Sequence, residues 1–139
     1  MTRKIHTGLV HLFAAGLVVQ LFLAGLGAFE TVHNKKFNDN NFGPHGIVGT
    51  ILVLVALLIA LVAVAGRWSP TVTKLSGGLF GLMVLQLILG VAGAGSAPVL
   101  GGLHVLNAIV IVWVTYRLVQ LTRTHRTGRG EPREDAVAA

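Results

Sequence analysis

The sequence contains no cysteine, which excludes disulfides, thiol chemistry, covalent haem attachment through a C-x-x-C-H motif and iron–sulfur ligation. It is also poor in charge, with Asp, Glu, Lys and Arg making up 12% of 139 residues. No apolar segment carries a series of charged residues or a filter-like signature, so a channel is weakly supported. No segment alternates apolar and polar residues as a membrane β-barrel strand must. The Gly-rich stretch 93–102, expected to be a loop, has neither the lysine nor the preceding strand of a phosphate-binding loop, which rules out that mode of nucleotide binding. The stretch 31–41 contains Asn34, Asn38, Asn40 and Asn41. It has loop composition and no phosphate or metal motif, and it is placed to cover one end of a bundle.

What the chain does have is apolar length. Hydrophobic residues make up 53% of it and its mean hydropathy is +0.75, far from the composition of a soluble domain. Four runs, residues 5–29, 45–66, 73–94 and 99–121, each suffice to cross a hydrocarbon core about 30 Å thick, which takes about 20 helical residues. Lipid offers no partner for backbone N–H and C=O groups, so these runs must be helices. The first follows Arg3 and Lys4 as a signal peptide would, but it exceeds the apolar length of one and is read as a retained helix. The expected fold is therefore all-α: an integral membrane four-helix bundle over residues 1–122, followed by a basic, disordered tail over 123–139.

Charge is distributed by side. Arg3, Lys4, Arg67, Lys74, Arg117, Arg123, Arg126, Arg129 and Arg133 fall at one end of the spans, and only Lys35 and Lys36 at the other. The positive-inside rule then puts both termini in the cytoplasm of a multi-pass plasma-membrane protein and the two odd loops outside. The net charge of +6 follows from this sidedness and the tail. It calls for lipid contact and not for nucleic acid.

The chain also repeats itself. The eleven residues from Val18 to Ala28 overlay those from Val84 to Ala94 without a gap, with six identities, Gln20 on Gln86 among them. Each copy precedes a loop and a helix opening on histidine, His45 in one half and His104 in the other. Two similar helical hairpins in parallel orientation imply a pseudo-twofold axis along the membrane normal, with helices two and four as equivalents across it. His45 and His104 would then face each other at one depth near the outer face, as two axial ligands of a haem iron must.

On helix two, His45, Gly49, Leu52, Ala56 and Ala60 share a stripe; on helix four, His104, Ala108, Ile111 and Thr115 do so, with Asn107 beside them. Gln20 and Gln86 lie where an unpaired amide is costly and are expected to face the bundle, either bonding across a helix interface or touching a cofactor. No third or fourth ligand stands at a spacing that suits zinc. His11 is about 180° round its helix from Gln20, given 100° per residue, and is expected to miss that seam. His6, His33 and His125 are expected in interfacial or solvated positions. Glu30, ending the first helix, is expected to be hydrated.

The run Gln86-Leu87-Ile88-Leu89-Gly90, a loop with Pro98, and then Leu103-His104 followed by Asn107-Ala108 resembles the end of one half of haem A synthase. The resemblance implies a four-helix bundle with haem-ligating histidines on its second and fourth helices, matched here by His45 and His104, and Gln20 matches the glutamine of the first helix. This chain has a single bundle, no cysteine pair, and Phe42 where the resemblance would put a catalytic glutamate. It also resembles small actinobacterial-type four-helix membrane proteins grouped as an uncharacterised family, with a similar glutamine-leucine-alanine-glycine helix and leucine-histidine-asparagine helix.

The expected function is a haem b-binding, cytochrome b-like membrane protein with an electron-transfer role, its haem held by His45 and His104, with Gln20, Gln86 and Asn107 lining the site. A quinone or a redox membrane protein is the expected partner. The alternatives are a non-enzymatic helix-packing subunit or regulator of a membrane complex, and a haem carrier or assembly factor.

Overall fold

A computed structural model describes residues 1–34, 39–94 and 97–127. Four helices form an all-α bundle: α1 (Thr2–Asn34), α2 (Gly43–Ala65), α3 (Pro70–Ala94) and α4 (Pro98–Thr127), with a single 3-10 turn, Asp39–Phe42, before α2. All four include stretches long and apolar enough to cross a membrane. At 1.5 Å per residue even α2, with 23 residues, reaches about 35 Å.

Prolines open three of the helices. Pro44, Pro70 and Pro98 each occupy the first or second position of α2, α3 and α4, where the missing N–H has no acceptor to lose and the fixed φ already suits a helix. Ser69 adds a cap to α3, its hydroxyl accepting from the Val72 N–H at 3.5 Å. The Gly-rich stretch expected as a loop is mostly helical, because α3 continues to Ala94 and α4 starts at Pro98. The apolar neighbours of these glycines and the short connector outweigh their low helix propensity. Likewise α4 runs on to Thr127. The remainder of the expected tail, and Lys35 and Lys36, lie outside the described residues.

The turn after α2 ends on a paired backbone closure. The Trp68 N–H donates to the Ala63 carbonyl at 3.3 Å and the Arg67 N–H to the Val64 carbonyl at 3.1 Å, with Arg67 at φ 49°. This is the Schellman pattern, in which the left-handed position usually belongs to glycine. It aims Trp68, 7% exposed, into the end of the bundle against the His6 ring.

Each helix packs on its sequence neighbours, and α1 closes the ring on α4; among the described residues the diagonal pairs α1/α3 and α2/α4 make no close backbone approach. The interior along α2 is the stripe Leu52, Ala56, Ile59 and Ala63, meeting Phe13 of α1, Leu79 and Met83 of α3, and Ile111 and Leu118 of α4. Ala60, expected on that stripe, is only half-buried, since the helix phase favours Ile59 and Ala63. The outward faces are apolar as well, with Phe22, Ile47, Leu106 and Trp113 all exposed. A surface of that kind suits hydrocarbon and not water.

Two glycines permit close approach between successive helices. A Cβ at Gly93 would stand 2.6 Å from the Gly101 N, and one at Gly27 would stand 2.7 Å from the Asn41 O. Both contacts bring the start of the next helix against the end of the previous one, near the histidines.

Candidate functional site

His45 lies in the first turn of α2 and His104 in the second turn of α4. Although their helices are diagonal, the two rings meet across the bundle, with centroids 6.2 Å apart and planes at 60°. Phe42 stands edge-on to His45 at 6.3 Å on the loop side.

Both rings are bonded in the same manner. His45 Nδ1–H donates to the Gln20 carbonyl at 3.2 Å, and His104 Nδ1–H donates to the Gln86 carbonyl at 3.0 Å. A carbonyl can only accept, so each neutral ring carries its proton on Nδ1 and presents a lone pair at Nε2. That lone pair accepts an amide N–H in each case: from Gln20 Nε2 at 3.2 Å and from Gln86 Nε2 at 3.1 Å. The expected interhelical role of the two glutamines is thus directed at the histidines.

The surroundings of the two amides differ. Gln86 Oε1 accepts from Asn107 Nδ2 at 2.7 Å, and Asn107 Nδ2 also reaches the Leu82 carbonyl at 3.0 Å. Gln20 Nε2 donates a second time, to the His45 carbonyl at 2.9 Å, which fixes the orientation of the amide. Its Oε1 is buried without a partner. Glycines make room for these groups: a Cβ at Gly49 would lie 2.9 Å from Gln20 Nε2, and one at Gly90 would lie 3.1 Å from His104 Cε1.

All five residues singled out from the sequence, His45, His104, Gln20, Gln86 and Asn107, therefore belong to one cluster, joined by hydrogen bonds and by the edge-type contact of the two rings, that draws on all four helices. The described residues contain no group of three or more His, Cys, Asp or Glu side chains able to hold a metal ion. Two imidazole nitrogens are what this site offers. His11 is exposed, its Nδ1–H donating to the Thr7 carbonyl at 2.8 Å, and Glu30 and His33 are exposed as well.

His6 departs from its expected interfacial place. It is fully buried at the opposite end of the bundle, where α1 begins, with Nε2 3.1 Å from the Ser76 hydroxyl and its ring 4.9 Å from Trp68. The Arg3 guanidinium lies over the other ring of this stack, 5.3 Å from the Trp68 centroid. The signal was in the spacing: His6, Val10, Phe13, Leu17 and Gln20 recur at three- and four-residue intervals on one face of α1.

No curated protein and no solved structure matches the chain. A family model does, over residues 20–95, a segment that opens on Gln20 and contains His45 and Gln86. The chain belongs to DUF6220, a family of unknown function.

Proposed function

We propose that this protein binds one haem b between His45 and His104 and serves in electron transfer at the membrane. The observation that carries the reading is the ring pair: two neutral histidines on diagonal helices, each with Nδ1–H committed to a carbonyl, at a centroid separation of 6.2 Å. Each ring would offer one imidazole nitrogen to the iron of a bound haem. The donor set fits. An Nδ1–H bonded to a carbonyl is the second-shell partner that orients a ligating histidine and keeps Nε2 available.

Bound there, haem supplies a one-electron iron couple. The chain's own residues hold the two rings in register and exclude water through the apolar core residues Leu52, Met83 and Ile111, and the Gln20 and Gln86 amides would have to leave Nε2 before it could ligate. The recurrence of the glutamine–histidine bonds in α1/α2 and in α3/α4 supports two similar hairpins. The charge distribution supports cytoplasmic termini and a site near the outer face. The likeness to one half of haem A synthase points the same way, while Phe42 in place of a carboxylate argues against that family's chemistry. A quinol or a redox membrane protein is the proposed partner.

The competing reading is a helix-packing subunit, favoured by the fact that both nitrogens of both rings already have protein partners. The two are separated by purifying the full chain from haem-replete cells in mild detergent and recording oxidised and dithionite-reduced spectra with a haem-to-protein ratio. Sharp reduced bands near one haem per chain support the cytochrome reading. A colourless protein that takes up no added haem overturns it in favour of packing.

A further inference from the structure

The two amides that cover the histidine nitrogens are held unequally. Gln86 donates to His104 and receives from Asn107, so both ends of its amide are engaged. Gln20 has both N–H groups on His45, while Oε1 is buried and unpaired. The position three residues after His45, where Asn107 stands relative to His104, is Val48, which has no donor to offer. A single lone pair on Nε2 cannot both accept an amide N–H and bind iron, so each amide must leave before its histidine ligates. Departure of Gln86 breaks its bonds to His104 and Asn107, and departure of Gln20 breaks both of its bonds to His45. Only the Gln20 cap leaves a buried acceptor unpaired while it is closed, a cost that its departure relieves and that Gln86 does not carry.

We propose that Gln20 and Gln86 are caps on the ligating nitrogens, that the Gln20 cap opens first, and that His45 is accordingly the nitrogen at which the site first takes its ligand. Asn107 is a positioning residue that keeps His104 covered. The proposal rests on the haem reading of the same site. It adds an order of entry and a role for each amide.

The test has two arms on the full-length protein in detergent. In the first, ¹⁵N-glutamine labelling follows side-chain amide hydrogen exchange in the haem-free protein. The Gln86 proton bonded to His104 is expected to exchange more slowly than the Gln20 proton bonded to His45 by about tenfold, the ratio that relief of one unpaired buried acceptor supports. Asn107→Leu brings the two rates together, and Gly49→Ala, whose methyl would press on Gln20 Nε2, speeds Gln20 alone. In the second arm, mixing with ferric haem b is followed by absorbance. A fast and a slow phase are expected, with Asn107→Leu accelerating the slow phase only. Equal exchange rates in the wild-type protein overturn the unequal caps even if haem binds normally. Unequal exchange in a protein that binds no haem overturns the ligand reading and the order of entry with it.

Discussion

His45 and His104 meet with ring centroids 6.2 Å apart across a diagonal that the α2 and α4 backbones do not bridge. Each ring spans its share of the bundle because a neighbouring helix holds it: α1 through the Gln20 carbonyl and α3 through that of Gln86. Under the proposed haem reading either histidine would be indispensable. His45→Ala and His104→Ala are each expected to lower haem content at least about tenfold, the loss that follows when one of two strong bonds to a metal is removed. The haem-to-protein ratio of the purified variants checks this, and full retention of haem in either one removes the ligand assignment.

The stabilising part of the cluster is separable from its ligands. Asn107 is 8% exposed and satisfies both Gln86 Oε1 and the Leu82 carbonyl. Asn107→Ala leaves those two acceptors with one donor fewer between α3 and α4. Hydrogen bonds between membrane helices average well below those in soluble cores, so the expected cost is about 1–2 kcal/mol. Unfolding of the variant in mixed detergent measures it, and an unchanged midpoint would show that the bonds are replaced.

The helices were legible in the sequence because lipid-spanning length and the lack of charge leave few other structures. Their ends were less so. Residues 93–102 read as a glycine-rich loop, yet only the short stretch between Ala94 and Pro98 separates two helices, since Gly93 and Gly101 are needed for close backbone approach. The meeting of His45 and His104 was legible from two similar segments, each followed by a histidine-led helix. The partner of each amide was not, because a glutamine on an interior face can reach any of three neighbours, and glycines at 49 and 90 decide which. His6 was misplaced by its nearness to the chain end, whereas its phase with Val10 and Phe13 governs its burial.

Glycines at close and open positions should answer differently to one methyl group. A Cβ at Gly93 meets the Gly101 backbone at 2.6 Å, and the backbone has no side-chain rotamer with which to give way. Gly93→Ala is expected to destabilise by about 1–3 kcal/mol through overpacking. Gly78 has open space around its Cβ position. There Gly78→Ala is expected to be neutral or to stabilise by up to about 1 kcal/mol through helix propensity. The paired comparison in one detergent checks both, and equal effects would contradict the close approach of α3 and α4.

Arg67 holds the left-handed position that closes α2, at φ 49°. A side chain there costs about 1–2 kcal/mol relative to glycine, offset by about 0.5–1 kcal/mol for the greater freedom of glycine in the unfolded chain. Arg67→Gly is therefore expected to stabilise by about 0.5–1 kcal/mol, seen as a raised unfolding midpoint with haem content unchanged. A lowered midpoint would mean that the guanidinium makes a contact worth more than the backbone relief.

The buried His6 at the other end should prove structural and independent of the histidine pair. His6 and Ser76 lie on the diagonal helices α1 and α3 with both side chains fully buried, 3.1 Å apart, beneath Trp68 and Arg3. Ser76→Ala strands His6 Nε2 as well as Nδ1, which already has no partner, and is expected to cost about 1–2 kcal/mol. His6→Leu removes the polar ring altogether, so adding Ser76→Ala to it should cost less than Ser76→Ala alone. A double-mutant cycle on unfolding midpoints then gives a coupling of at least about 0.5 kcal/mol, as residues in contact do. Haem content should be the same in all four proteins, because about 14 residues of α1, or about 21 Å of helix, separate His6 from Gln20. A zero coupling would mean that His6 and Ser76 are bonded elsewhere, and a fall in haem content would mean that the two ends of the bundle act as one site.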